Sequence, residues 1–221
     1  MSFPFAIVGF DLDGTLVDSL DDLTAALNHA LELAGRAPVR APEVRSMIGR
    51  GARHMLDRAL AADGGVADDE FQRLYDELIA YYEAHIAVHS TPYPGLTAAL
   101  DRLDALGVRT AVVTNKNERL ARLLLGELGL ADRMATIIGG DTMGPGNAKP
   151  SPVPIHAMIE RCGGGPAAFV GDSSFDIMAA KNADVPSIAV SFGFPNQPVG
   201  ELGADHVIDH YDELVPLLER L

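Results

Sequence analysis

Apolar runs rich in β-formers, at residues 5–10, 108–114, 135–139, 168–170 and 187–192, with a short sixth at Val207-Ile208, alternate with stretches of a different period. In those stretches, 95–106, 119–128, 152–161 and 174–182, apolar residues recur at three- and four-residue spacing. A continuous apolar run reads as a buried strand and the longer period as a helix with one face on a core. Strand and helix in strict alternation give parallel strands joined by crossovers, so the expected architecture is α/β: a doubly wound parallel sheet, a Rossmann-like core. One interval breaks the rule. Between the first two runs lie about 70 residues of helical patterning with no strand, too long for a crossover. Helices are predicted from Ser19, as N-cap, to about residue 34, where Gly35 and Pro38 stop it, and then near 42–48, 52–61 and 68–85. This interval reads as an inserted small α-helical cap, residues 18–89, on a core made of 1–17 and 90–221. Hinges are expected near 17–19 and 89–94, where Pro92 and Pro94 stiffen the return. A cap so placed covers the carboxyl end of the first strand.

The chain has 221 residues, 48% of them hydrophobic, enough for a packed core plus an insert. Its net charge of −14 argues against nucleic acid or an anionic membrane surface as partner, because such binding rests on clustered Lys and Arg. Any anion site must therefore be locally positive. Cys162 is the only cysteine, which excludes an intrachain disulfide and a cysteine zinc site and suits a reducing compartment. Met1-Ser2-Phe3-Pro4-Phe5 has no basic leader, and no segment reaches about 18 apolar residues. The expected location is cytoplasmic, with no membrane attachment.

The chemistry concentrates where strands are predicted to end. Phe10-Asp11-Leu12-Asp13-Gly14-Thr15 follows the first run. Asp11 and Asp13 should emerge together with Leu12 pointing away from both, and Gly14 lets the backbone turn sharply so that amide N–H groups face an anion. Taken alone, Asp-x-Asp-Gly describes an Asx turn before a helix equally well. Thr114-Asn115-Lys116 closes the second run with a hydroxyl and an amide, which bind phosphate oxygens without adding negative charge. Lys149-Pro150 follows a Gly-rich loop and offers a cation for both a phosphate and a carboxylate, although a surface lysine before a helix has the same signature. Gly171-Asp172-Ser173-Ser174-Phe175-Asp176 places two more acids beyond a buried strand. A helix N-cap accounts for one acid, not for four at neighbouring strand ends, and hard oxygen ligands of this kind suit Mg²⁺. His85 with His89 and His206 with His210 have a zinc-compatible spacing but no third ligand, and read as structural. Asp68-Asp69-Glu70 reads as a solvated helix start.

With these motifs in order, the sequence resembles the haloacid dehalogenase-like superfamily over essentially its whole length. Within it the chain is most similar to phosphoglycolate phosphatases, through 11–30, 47–60, 93–116 and 139–193. The resemblance implies that Asp11 attacks phosphorus to form an aspartyl-phosphate and that Asp13 acts as acid, then base. It implies that Thr114 and Lys149 cradle the phosphate, and that Mg²⁺ is held by Asp11, the backbone carbonyl of Asp13, Asp172 and Asp176. It places Leu12 and Asn115 beside the substrate. In the segment Met47-Ile48-Gly49-Arg50-Gly51-Ala52-Arg53-His54, similar to the family's substrate-facing loop, Arg50 and Arg53 are candidates for a substrate carboxylate, or else exposed helical arginines.

The expected activity is Mg²⁺-dependent hydrolysis of 2-phosphoglycolate or a similar small phosphorylated acid. A β-phosphoglucomutase-like phosphotransferase, a sugar-phosphate phosphatase and a pyrophosphatase share the chemistry. A dehalogenase of this superfamily lacks the second acid of the first motif, and Schiff-base hydrolases need a cap lysine, whereas Lys116, Lys149 and Lys181 all fall outside the insert. A receiver module is shorter and capless, and a catalytically silent binding protein commonly loses a motif carboxylate; none is missing here. The expected partner is a small phosphorylated metabolite, with the chain a monomer or homodimer.

Overall fold

The structure, a computed structural model, describes residues 3–221; Met1 and Ser2, part of the segment read above as lacking a leader, lie outside the described residues. In chain order the elements are β1 (Ile7–Phe10), β2 (Val17–Asp18), α1 (Leu20–Leu33), α2 (Ala41–Arg45), α3 (Ala52–Ala61), α4 (Asp68–Ala84), β3 (Thr91–Pro92), α5 (Leu96–Ala105), β4 (Arg109–Val113), α6 (Glu118–Glu127), β5 (Ile137–Ile138), α7 (Val153–Arg161), β6 (Ala167–Gly171), α8 (Ser174–Asn182), β7 (Ser187–Val190), β8 (His206–Ile208) and α9 (Leu214–Leu218). Three short 3₁₀ turns join some of them.

Every residue of β1 and β6 is buried, as continuous apolar runs require of strands covered on both faces. The six-stranded sheet has the order β5-β4-β1-β6-β7-β8, and all its pairings are parallel. Successive strands first step outward on one side of β1, and the chain then crosses to β6 on its other side. That reversal puts a topological switch point between β1 and β6, where open α/β sheets leave a crevice beyond their carboxyl ends. The register Phe10↔Val170 brings the two ends level. Among the described residues no helix is long and apolar enough to cross a membrane.

The expected α/β alternation is observed, with strands shorter than the apolar runs: 5–10 pairs only from Ile7, and 135–139 contracts to Ile137–Ile138. Helices α1 to α4 occupy the interval after the first strand. The pairing of β2 with β3 departs from the sequence reading, which found no strand there and treated the two crossings as separate hinges. Val17 lies opposite Pro92 and Asp18 opposite Thr91, in an antiparallel two-stranded ribbon that ties the outgoing chain to the returning one. Two residues per strand, one of them proline, carry no alternation to read. Helix α9 was not anticipated either.

A second tie reinforces the ribbon. Asp22, buried in the first turn of α1, accepts hydrogen bonds from the backbone N–H groups of His89 (3.0 Å) and Ser90 (2.8 Å) and from Ser90 Oγ (2.7 Å). Leu23, Leu27 and Leu31 of α1 and Leu74, Leu78 and Tyr82 of α4 join one apolar cluster that runs on to Val8 and Phe10 of the sheet. The insert therefore shares its core with the sheet layer. Asp22→Ala leaves buried N–H donors without a partner, at about 1–3 kcal/mol for each unsatisfied group. We expect it to lower the free energy of urea unfolding by about 2–4 kcal/mol; a loss below about 0.5 kcal/mol would contradict the staple.

Candidate active site

The site grows from the ends of β1 and β6. Asp11 N donates to Val170 O at 2.9 Å, which extends the ladder one residue and fixes where the Asp11 side chain leaves the sheet. The chain then folds into a tight turn in which the Leu12 carbonyl accepts from the backbone N–H groups of Thr15, Leu16 and Val17. Gly14 turns it with φ +80°, and a Cβ at this position would stand 2.2 Å from Asp172 Oδ2, so neither the conformation nor the space admits a side chain. From β6, Asp172 is held by Phe194 N donating to Oδ2 (2.6 Å) and by Thr15 Oγ1 donating to Oδ1 (3.3 Å). Asp176 sits in the first turn of α8 and forms a capping box: its Oδ2 accepts from Ser173 N (3.0 Å) and Ser173 Oγ (2.6 Å).

Asp11, Asp172 and Asp176 are all buried, and each offers an oxygen within 4.8 Å of the others. One cation answers them. Lys149 Nζ lies 2.5 Å from Asp176 Oδ1 and 2.7 Å from Asp11 Oδ1. Asp11 Oδ1 therefore has the Lys149 ammonium as its one close polar partner. Burial, with the charges of Asp176 and Asp13 behind it, pushes the Asp11 carboxyl up to about 6 against the opposing pull of Lys149. Burial, then Asp176 and Asp11, holds Asp172 well above the usual carboxylate range. Burial works against the charge on Lys149, but Asp11 and Asp176 outweigh it and raise its proton affinity. Three buried carboxylates facing one ammonium leave excess negative charge whenever all three are ionised. The donor set fits a hard divalent cation.

Thr114, buried at the end of β4, accepts from Lys116 N at its Oγ1 (3.2 Å), so its hydroxyl proton can be given to a ligand. Asn115 has a different arrangement from the one expected. Its Oδ1 accepts from Lys149 N (2.9 Å), and its Nδ2 donates to Lys149 O (3.1 Å) and to Gly49 O of the insert (2.8 Å). The amide positions the Lys149 loop and draws the insert onto the strand ends, and Asn115 lines the cavity between them. Leu12 contributes no side-chain group: it is fully buried in the apolar cluster. Arg50, exposed, has its guanidinium 5.7 Å from the Phe175 ring, and Arg53 donates to Gln72 Oε1 (3.0 Å) while lying over Phe71 and Tyr75. His85 is engaged with Tyr81 O, and His89 takes part through its backbone N–H; the pair forms no ligand cluster.

Asp13 shows what the sequence reading missed. Lys116 Nζ lies 2.6 and 2.7 Å from its two carboxylate oxygens, and Ser19 Oγ donates to its Oδ1 at 2.6 Å. Ser19 does stand at the N-cap position of α1, but it makes no side-chain cap bond because its hydroxyl is turned to Asp13. Lys116 lies in the bend beyond β4, so no strand period pointed to it; its place beside Thr114-Asn115 was the only signal. A cavity of about 220 Å³ lies between the insert and the strand ends, with Asp11 and Asp13 on its floor and Thr114, Lys116, Tyr82 and Arg53 in its walls.

The model of the haloacid dehalogenase-like hydrolase family matches residues 8–190. The chain is 44% identical to a phosphoglycolate phosphatase of Agrobacterium fabrum over 99% of its own length and 94% of that protein's, and 42% identical to one of Rhodospirillum rubrum over 96% and 89%. A solved structure of a predicted phosphoglycolate phosphatase from Haemophilus somnus superposes with a TM-score of 0.90 at 30% identity, covering 96% of this chain and 97% of that one. The chain belongs to the haloacid dehalogenase-like hydrolases. It is an enzyme of that family, and its relatives there are phosphatases.

The raised proton affinity of Asp11 has a signed effect on stability. Its carboxyl binds a proton up to about pH 6 when folded but only to 3.8 in the ordinary state, so native protein holds more proton between those values and loses stability as pH rises through them. The gap sets an upper limit of about 3 kcal/mol. In EDTA, Asp11→Asn should therefore exceed the wild type by about 1–3 kcal/mol in urea unfolding at pH 8 and match it near pH 4. Equal stability at pH 8 would contradict the reading.

Proposed function

We propose that the chain is a Mg²⁺-dependent phosphomonoesterase working through an aspartyl-phosphate on Asp11, with 2-phosphoglycolate or a similarly small phosphorylated acid as substrate. The observation that carries this reading is the meeting, at one small cavity, of the carboxylates of Asp11 and Asp13, with Asp172, Asp176 and the Lys149 ammonium gathered around Asp11. At about 220 Å³ the cavity is smaller than the roughly 300–1,000 Å³ of pockets for drug-sized ligands, which favours a compact metabolite over a nucleotide. Lys116, Arg50 and Arg53 line it and favour a substrate with a second negative charge. The names of the relatives at 40% identity or above supply the particular substrate.

In the proposed reaction an Asp11 oxygen attacks phosphorus as the bond from phosphorus to the substrate alkoxide breaks, and Asp13 gives its proton to the departing oxygen. Asp13 then takes a proton from the water that attacks the aspartyl-phosphate, which frees phosphate and restores Asp11. Lys149 and Thr114 hold phosphoryl oxygens, and Asn115 keeps Lys149 in place. Asp11, the Asp13 carbonyl and Asp172 would hold Mg²⁺, with Asp176 orienting the set through Lys149. When bound, the cation neutralises phosphoryl charge and fixes the group opposite Asp11. Residues 18–89 act as the cap on a core of 1–17 and 90–221 and exclude bulk water during transfer. The Asn115–Gly49 bond and the ion pair between Arg119 of α6 and Glu83 of α4 support that role.

Two readouts test the proposal together. Acid-quenched enzyme turning over ³²P-labelled 2-phosphoglycolate with Mg²⁺ should carry label on the Asp11 peptide, and Asp11→Asn should lose both the label and at least about 10³-fold in turnover. Against sugar phosphates and nucleotides, kcat/KM for 2-phosphoglycolate should lead by about 100-fold, or 2.7 kcal/mol. An unlabelled but active enzyme would overturn the mechanism, and a preference for sugar phosphates would overturn the substrate.

A further inference from the structure

Lys116 is a buried cation that neither the phosphate cradle nor the carboxylate trio uses. Its side chain is 6% exposed, and two of its three N–H donors are accounted for by the two oxygens of Asp13. Its Nζ lies 4.8 Å from the ring centroid of Tyr82, which reaches in from α4 of the insert. Tyr82 is 2% exposed, and its hydroxyl has the Lys116 ammonium as its one polar neighbour, an oxygen that can accept from Lys116 and still has its own proton to give. Burial pushes its proton affinity up to about 12, so it remains a donor. Tyr82 lines the same cavity as Lys116 and Asp13.

We propose that Lys116 and Tyr82 together receive the second anionic group of the substrate, a carboxylate, and that in doing so Lys116 releases Asp13 to face the leaving oxygen. This rests on the phosphomonoesterase reading and names the group that selects the substrate within it. A carboxylate brings two acceptor oxygens, and the site offers two matching donors: the remaining N–H of Lys116 and the Tyr82 hydroxyl. The arginines of the insert are less suited. Arg53 is exposed and engaged with Gln72, Phe71 and Tyr75, and Arg50 is exposed over Phe175. Asp13 is the anion that Lys116 pairs with in the structure. Both its oxygens are engaged by Lys116, one of them also by Ser19, and a carboxylate held this way is not turned toward a substrate oxygen. Lysine suits an exchange of partners because its flexible stem carries rotatable donors, whereas the planar fork of arginine locks onto one partner. A substrate lacking the carboxylate leaves Lys116 on Asp13. Selection then acts on the chemical step as well as on binding, so kcat and KM both respond.

The experiment compares 2-phosphoglycolate with ethyl phosphate, which replaces the carboxylate by a methyl group, in wild type, Lys116→Met and Tyr82→Phe. The readout is the ratio of the two kcat/KM values. Wild type should favour 2-phosphoglycolate by at least about 100-fold, in kcat as well as in KM. Lys116→Met should reduce that ratio at least about 30-fold and bring the two kcat values together, and Tyr82→Phe should reduce it about 10-fold. Tyr82→Phe removes one hydroxyl and keeps the buried ring, so it keeps the test decisive if the loss of Lys116 prevents folding. Ratios unchanged in Tyr82→Phe, and in Lys116→Met where it folds, would overturn the inference while leaving the phosphatase reading intact. If wild type hydrolyses neither compound but turns over another phosphate ester, the substrate reading fails, and this inference with it.

Discussion

The structure depends on the confinement of Asp11, Asp172 and Asp176 with the single ammonium of Lys149 at the carboxyl ends of two adjacent parallel strands. Like charges in a poorly hydrated pocket repel strongly, and burial alone disfavours their ionised forms. The surroundings answer with fixed donors: Phe194 N and Thr15 Oγ1 on Asp172, and the Ser173 capping box on Asp176. Asp11 relies on Lys149 alone among the side chains, and burial with the neighbouring acids still raises its proton affinity.

The helical insert turns this charged strand end into an enclosed chamber. Asn115 ties Lys149 to Gly49, and Arg45 of α2 lies 5.5 Å from the Phe194 ring, beside the loop that holds Asp172. The groups that fix the carboxylates are therefore the ones the insert touches. The β2–β3 ribbon and the Asp22 staple join the two chain crossings, so any movement of the insert has to pass through a hydrogen-bonded unit of a few residues. The leucines of the insert helices belong to the same apolar cluster as the sheet, which also resists such movement.

Much of this was legible in the chain. Period changes located the strands and helices, and a parallel sheet puts all its strand-end acids on one side; the pairing of β1 with β6 then brings Asp11 and Asp172 together. Interactions between side chains of distant segments carried no such signal. Ser19 has the sequence of a cap and stands at the cap position, yet its hydroxyl serves Asp13, a choice set by the tight Gly14 turn. Asn115 was read as a ligand group for its chemistry, and its bonds to two backbone carbonyls and an N–H of distant segments were not in the sequence signal. The pairing of Lys116 with Asp13 follows from β4 lying beside β1, a neighbour relation that periodicity does not encode. Pairing of β2 with β3 was beyond reach for the same reason.

The central claim is that the buried carboxylate trio is balanced by a divalent cation, and calorimetric unfolding with and without Mg²⁺ tests it directly. At pH 8, Mg²⁺ at a hundred times its dissociation constant should add about 2.7 kcal/mol to the stability of the wild type. The gain should shrink at pH 5, where protons take the place of the cation at Asp11 and Asp172, and should disappear in Asp172→Asn. A wild type indifferent to Mg²⁺ at pH 8, or an equal gain in Asp172→Asn, would contradict the account.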